Sequence, residues 1–259
     1  MALTDKLTAI ADAIREKTGK TEGLTLDQMP DEINAIQSGG GGENNDTARQ
    51  LIEGTLTSLY DEDITNIKIR VFGYNNTLKE VDLPNAKTIG MAAFASATAL
   101  ETVKLDSIET LVVGAQDQQF YSCTSLKNVS MNSLKVVGAM SFDGCTALKQ
   151  VYLPSLTRVG GNGFIRSGLE TAHFPVLSSI GTSAFASTKL ATLVLGGDAV
   201  VTLDNVSAFT GTPFASGGTG GTVYCHSDLI PDYQTATNWA ALYEAGTCTF
   251  VAIEGSEYE

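Results

Sequence analysis

The sequence predicts a β-rich solenoid, right-handed, of short strands stacked in a ladder. A small helical module precedes it and a mixed α/β cap closes it. Three observations predict this class. Six segments share one spacing of apolar residues, starting at Leu78, Leu100, Leu126, Leu148, Leu169 and Leu190, with steps of 22, 26, 22, 21 and 21 residues. A phenylalanine recurs once per period, at Phe94, Phe120, Phe142, Phe164, Phe185 and Phe209. The period is bounded by Gly39–Gly42 on one side and a glycine-rich loop from Gly211 on the other.

The repeat reads L-x-x-V-x-L, most cleanly at Leu148-Lys149-Gln150-Val151-Tyr152-Leu153. That pattern, at a period near 22, is a leucine-rich-repeat signature. Alternate residues of a strand point to opposite sides, so the Leu and Val anchors face the core and the letters between them face out. Pro84, Pro154 and Pro175 follow the strand and end its pairing, since proline lacks the N–H. A second apolar pair comes next (Ala86 and Ile89, Leu156 and Val159, for example), then Gly90, Gly138, Gly160 or Gly181, where a left-handed or tight backbone is expected. The phenylalanines form a packing column. Cys123 and Cys145 each lie three residues after a column Phe, so they are expected to stack as buried thiols.

In chain order, residues 1–37 predict a helical anchoring and oligomerisation module. Leu3, Leu7, Ile10 and Ile14 form a coiled-coil seam, and Pro30 suits the first turn of a second helix. Residues 38–45 are a glycine-rich tether. Residues 46–210 form the solenoid with its own N-terminal cap, a helical turn begun by Asp46. Within it, Ile64–Val71 alternates apolar and polar residues like a strand, a degenerate first rung. The extra four residues of the second repeat fall near Ala115–Gln119 and are expected to loop out. Residues 211–259 form the C-terminal cap, with helices begun by Ser227 and Asn238, and a mobile acidic tail from Glu254.

The chain has 29 acidic residues against 16 Lys and Arg, a formal net charge of −13. That field repels phosphate, so neither nucleic acid nor an anionic membrane is an expected partner. No apolar run is long enough for a membrane span. The first ten residues lack the basic and apolar blocks of a secretory signal peptide. Catalysis needs converging groups, and neither His173 nor His226 lies near a nucleophile motif. No catalytic residue, metal site or cofactor is expected, and the chain is not read as an enzyme.

What remains is the outward face of the strands. One column is Glu80, Thr102, Asn128, Gln150, Thr171 and Thr192; the other is Asp82, Lys104, Ser130, Tyr152, His173 and Val194. At about 4.8 Å per strand, five steps span roughly 24 Å. This face is the candidate ligand-binding surface, suited to a glycan or a polar protein surface.

The form L-x-x-V-x-L-P-x-L-x-x-I-G-x-x-x-F-x-x-C, best seen in Leu148–Gly160 and Phe142-Asp143-Gly144-Cys145, resembles the BspA-like class of leucine-rich repeats over about residues 64–210. Leu105 is followed by no proline, and the turns at Phe94, Phe164 and Phe185 lack the cysteine. Leu3–Gly19, Leu26–Pro30, Gly211-Thr212-Pro213 and Tyr233–Trp239 resemble the ends of phage and prophage tail-associated proteins of gut Firmicutes. That resemblance implies a tail-fibre or receptor-binding component of a virion, attaching to a host-surface protein or glycan. It also implies contact with tail or baseplate proteins through the N-terminal helices, and a homo-oligomer such as a trimer. The alternative is a bacterial cell-surface or extracellular adhesin, which would carry an export or anchoring signal.

Overall fold

The structure, a computed structural model, describes residues 55–111 and 117–259. The expectations for the module at 1–37 with its Leu3-Leu7-Ile10-Ile14 seam, the tether at 38–45 and the helical turn after Asp46 lie outside the described residues.

Among the described residues, fifteen short strands, numbered in chain order, run parallel along two sides of a solenoid. The first ladder holds β1 (Ser58–Tyr60), β3 (Glu80–Asp82), β5 (Thr102–Lys104), β6 (Asn128–Ser130), β8 (Gln150–Tyr152), β10 (Thr171–His173), β12 (Thr192–Val194), β14 (Gly221–Cys225) and β15 (Cys248–Ala252). The second side holds two separate sheets, β2 (Asn66–Ile67) with β4 (Thr88–Ile89), and β7 (Val136–Val137), β9 (Arg158–Val159), β11 (Ser179–Ile180) and β13 (Thr202–Leu203). Strands β1 to β13 are two or three residues long because each coil of about 22 residues must also turn its corners; β14 and β15, in the cap, run to five. In the first ladder the middle residue is the buried one: Val81, Val103, Val151, Ala172 and Leu193.

The third side of each coil is the phenylalanine turn. Phe72, Phe94, Phe120, Phe142 and Phe164 stack nearly parallel, with centroids 4.9, 5.2, 5.2 and 5.0 Å apart. The column continues through Phe185 to Phe209 at 5.7 and 5.8 Å. From Phe72 to Phe185 the residues two before and two after each ring are left-handed, as in Gln118 and Ser122, Asn162 and Arg166, or Ser183 and Ser187; at Phe209 only Gly211 is. A non-glycine residue there costs about 1–2 kcal/mol. Ladder bonds to the next coil offset it: Phe120 N–H donates to the Ser141 carbonyl at 2.8 Å, and Phe142 N–H to that of Gly163 at 2.9 Å.

Four sequence expectations change here. Gly90, Gly138, Gly160 and Gly181 are not left-handed; they are sites of close approach. A Cβ on Gly138 would overlap both the Leu111 carbonyl oxygen and the Asp117 carboxylate. Secondly, Asp117 and Gln119 do not loop out but are buried, and Asp117 Oδ2 accepts a bond from Ala139 N–H at 2.8 Å. They align with Ala139 and Ser141 of the next coil, so the extra residues fall within 112–116, outside the described residues. Thirdly, the Ile64–Val71 alternation yields only the two-residue β2, and Ile69 is exposed. The first rung is instead Leu56, Leu59, Ile64, Ile67 and Phe72, all buried and each 22 residues before Leu78, Val81, Ala86, Ile89 and Phe94. Fourthly, the tail from Glu254 packs against the first ladder, with the Tyr258 ring against Tyr224 and His173. Cys123 and Cys145 are buried free thiols, as expected, whose Sγ atoms lie 3.0 and 3.1 Å from the carbonyl oxygens of Phe94 and Phe120.

The cap ends the two ladders differently. The first is extended by β14 and β15, which pair parallel in register. The second stops at β13, where side chains replace the missing strand. Asn238 Nδ2 donates to the carbonyls of Leu203 (2.7 Å) and Asp204 (3.2 Å), Tyr233 Oη accepts from Val201 N–H (3.1 Å), and Trp239 Nε1 donates to Val201 O (2.7 Å). Asn238 thus precedes its helix α2 (Trp239–Glu244) without capping it through its side chain. Ser227 likewise begins a short 3-10 turn, and helix α1 (Ile230–Thr235) starts after Leu229 with Pro231 in its first turn.

Candidate functional site

The two outward columns lie in register along the first ladder: Glu80, Thr102 and Asn128 are aligned partners, as are Asp82, Lys104 and Ser130. Gln150, Thr171 and Thr192 continue one column; Tyr152 and His173 continue the other. Val194 occupies the next position but is fully buried, so it contributes no outward side chain.

The ladder is not continuous. β6 ends one sheet and β8 begins the next, with no ladder bond between them. The same two coils stay joined on their other sides, where β7 pairs with β9 and Phe142 N–H reaches the Gly163 carbonyl. The coils therefore part on this face alone, and Val129, unlike Val103 and Val151, is half-buried. Facing strand edges without mutual hydrogen bonds present donors and acceptors to whatever enters.

An open groove of about 480 Å³ crosses this gap. Thr102, Lys104, Asn128, Ser130, Gln150, Tyr152, Thr171 and His173 of the predicted surface line it; Glu80, Asp82 and Thr192 do not. Lys127, Asn132 and Tyr258 also line it and were missed by the sequence reading. Lys127 sits two positions before the strand's half-buried Val129, and Asn132 two beyond Ser130, both readable from the repeat; nothing local marks Tyr258.

Tyr258 arrives because the tail turns back. Its ring packs 4.8 Å from Tyr224 and 6.3 Å from His173, whose imidazole meets Tyr152 edge-on at 4.9 Å. An aromatic stripe thus runs Tyr152, His173, Tyr258, Tyr224. Tyr224 is the register partner of Val194. Tyr152 is 55% exposed, the most open member of the stripe at the groove. Partial burial holds the His173 pKa below the usual imidazole value, favouring its neutral form.

Charges at the groove are already paired. Lys104 Nζ lies 3.5 Å from Asp82 and 3.7 Å from Glu80; Lys127 Nζ lies 2.9 Å from Glu101. Asp106 Oδ1 accepts from Ser130 Oγ at 2.7 Å and from Asn132 N–H at 3.1 Å. Among the described residues no cluster of three or more His, Cys, Asp or Glu could hold a metal ion.

His226 is part of the tail's attachment. Its Nδ1 is 3.0 Å from Glu254 Oε1 and its Nε2 is 3.0 Å from the Gly196 carbonyl oxygen, while Ser227 N–H donates to the same carboxylate. Glu254 chiefly, then the Gly196 carbonyl, raises the His226 pKa, because both acceptors favour the imidazolium. A raised folded pKa contributes stability that is complete below the unfolded value near 6.5 and is lost as pH rises through the folded one. The protection of the Ser227 amide against hydrogen exchange, corrected for intrinsic rate, should fall roughly two- to threefold as pH rises from 6 to 9. The His226→Gln variant should lack that step; an identical step in the variant removes His226 as its cause.

Against known proteins, the family described as "BspA type Leucine rich repeat region" matches in six copies, over residues 65–192 and 115–212. Among solved structures, a leucine-rich repeat protein from Bacteroides ovatus ATCC 8483 is similar at 17% identity, over 66% of this chain and 55% of that one, with a TM-score of 0.31. The chain thus spans about half the length of that protein. No curated protein matches.

Proposed function

Since the chain belongs to the BspA type leucine-rich repeat family, we propose that it is a non-enzymatic recognition protein that attaches to a cell-surface receptor through the outward face of its first ladder. The observation that carries this is the groove between β6 and β8. It combines exposed Tyr152 with amide and hydroxyl side chains on a rigid, fully packed scaffold. A preorganised surface of this kind binds without the ordering cost of a loop.

The finer reading is a phage tail-fibre or receptor-binding component, located in the virion. It is supported by the sequence of the ends alone: the Leu3-Leu7-Ile10-Ile14 seam for assembly into a homo-oligomer on the tail, and Gly39–Gly42 for reach. Several copies would raise avidity without strong single contacts. The neighbouring reading frames test it: tail and lysis genes support a virion component, and an export and cell-wall-anchoring context overturns it.

Attachment itself is tested with labelled full-length chain on a panel of gut Firmicute cells. The double variant Tyr152→Ala, His173→Ala should bind at least about tenfold more weakly, since an aromatic anchor is worth on the order of 1.4 kcal/mol or more. Unchanged binding of the double variant places recognition elsewhere on the molecule.

A further inference from the structure

We infer that the ligand of this groove is a neutral saccharide, with one sugar ring seated on Tyr152 across the gap between β6 and β8. The inference rests on the recognition reading above and adds the ligand's chemical class.

Three features carry it. The first is the pairing of an open aromatic ring with side-chain amides. Tyr152 is 55% exposed, and Asn128 and Gln150 flank the gap on its two sides. The C–H face of a pyranose packs on an aromatic ring, while its hydroxyls need partners that both donate and accept. Amides and hydroxyls do both, and Asn128, Gln150, Thr102 and Thr171 all line the groove. Asn128 Nδ2 already donates to Thr102 Oγ1 at 3.2 Å, which orients its carbonyl end.

The second feature is charge. An acidic sugar needs a cation to meet it. Both groove lysines are engaged, Lys104 with Asp82 and Glu80 and Lys127 with Glu101. His173 favours its neutral form, and the chain as a whole carries −13. A sialylated or sulfated glycan would therefore enter a field of its own sign.

The third feature is shape. The groove is open and about 480 Å³, and Tyr258 and His173 continue the aromatic stripe beyond Tyr152. Tyr152 and His173 stand on neighbouring rungs about 4.8 Å apart and the tail sets Tyr258 beside them, so a chain of sugars has more than one surface to follow. Val103, Val129 and Val151 lie among the polar side chains of the lining, and half-buried Val129 adds apolar surface for the C–H face of a sugar.

The experiment uses labelled full-length chain on the cells it binds. One batch is oxidised with periodate, which cleaves the vicinal diols of sugars; another is treated with protease. Glycans released from the same cells are split on an anion exchanger into neutral and acidic fractions and used as competitors. Periodate should reduce the Tyr152-dependent part of binding at least tenfold, protease should leave it, and the neutral fraction should compete. Asn128→Ala should weaken that competition without affecting the melting temperature, because Asn128 is exposed. Loss to protease with no effect of periodate overturns the saccharide and leaves recognition standing, with a protein as receptor. Competition by the acidic fraction alone overturns neutrality. Absence of any Tyr152-dependent binding overturns this inference and the recognition reading together.

Discussion

Replacing Phe142 by Ala should destabilise the solenoid by about 3–5 kcal/mol, measured by urea denaturation of the full chain. The ring is fully buried and stacked on both sides, 5.2 Å from Phe120 and 5.0 Å from Phe164. The expected loss combines the transfer of an aromatic side chain with a cavity that the column cannot close, because left-handed turns at Met140 and Gly144 hold the backbone on either side. In a repeat array each unit is stabilised by its neighbours. Removing a central ring therefore weakens two interfaces, whereas Phe72, stacked within the column on Phe94 at the first described rung, supports one. Phe72→Ala should cost less than Phe142→Ala; equal losses, or a loss under about 1 kcal/mol at Phe142, would show that the column is not a cooperative spine.

Trp239→Ala should cost a comparable 3–5 kcal/mol, and for a second reason besides volume. The indole is fully buried against Phe209, Tyr233 and Phe250, with centroids 5.7, 5.6 and 6.0 Å away. Its Nε1 donates to the carbonyl of Val201 at 2.7 Å, on the rung that no further coil covers. Truncation opens a cavity and also strips that carbonyl of its donor. Trp239→Phe restores much of the ring without the N–H, so it should recover most of the volume term and leave a deficit of about 1–3 kcal/mol. Full recovery by Phe would assign the whole effect to packing. The cap matters because a solenoid with an open end exposes both apolar interior and unpaired strand edge.

Much of the frame was legible in the letters. Leu148-Lys149-Gln150-Val151-Tyr152-Leu153 predicts which side chains face in, and the structure buries Leu148, Val151 and Leu153 while leaving Gln150 and Tyr152 exposed. The rung at Leu56–Phe72 was equally legible, since each of its anchors stands 22 residues before a recognised one; the apparent alternation of Ile67, Ile69 and Val71 hid it. Local alternation reports a strand only where a neighbour pairs with the whole segment, and here pairing stops after Ile67. The Val194 column was misjudged because its continuation at Tyr224 comes after a step of 30, inside a region where the period is lost.

The candidate site divides the same way. The two columns of outward residues follow from strand alternation and needed no coordinates. The groove did not, because the segments at Leu126–Met131 and Leu148–Leu153 carry the same pattern as every other rung. Nor did the paired state of Lys104 and Lys127, which depends on carboxylates one rung away.

By itself the sequence determined the repeat, its inward anchors, the phenylalanine column and the buried thiols, because each follows from side-chain periodicity along one chain. Only the tertiary structure decided that β6 and β8 part on one face, that the second ladder ends on Asn238, Tyr233 and Trp239, and that the tail brings Tyr258 to the groove. The physical reason is one of range. Burial of an anchor is set by residues a fixed step away, whereas a missing ladder bond or a returning tail depends on how whole coils stack, which no local spacing encodes.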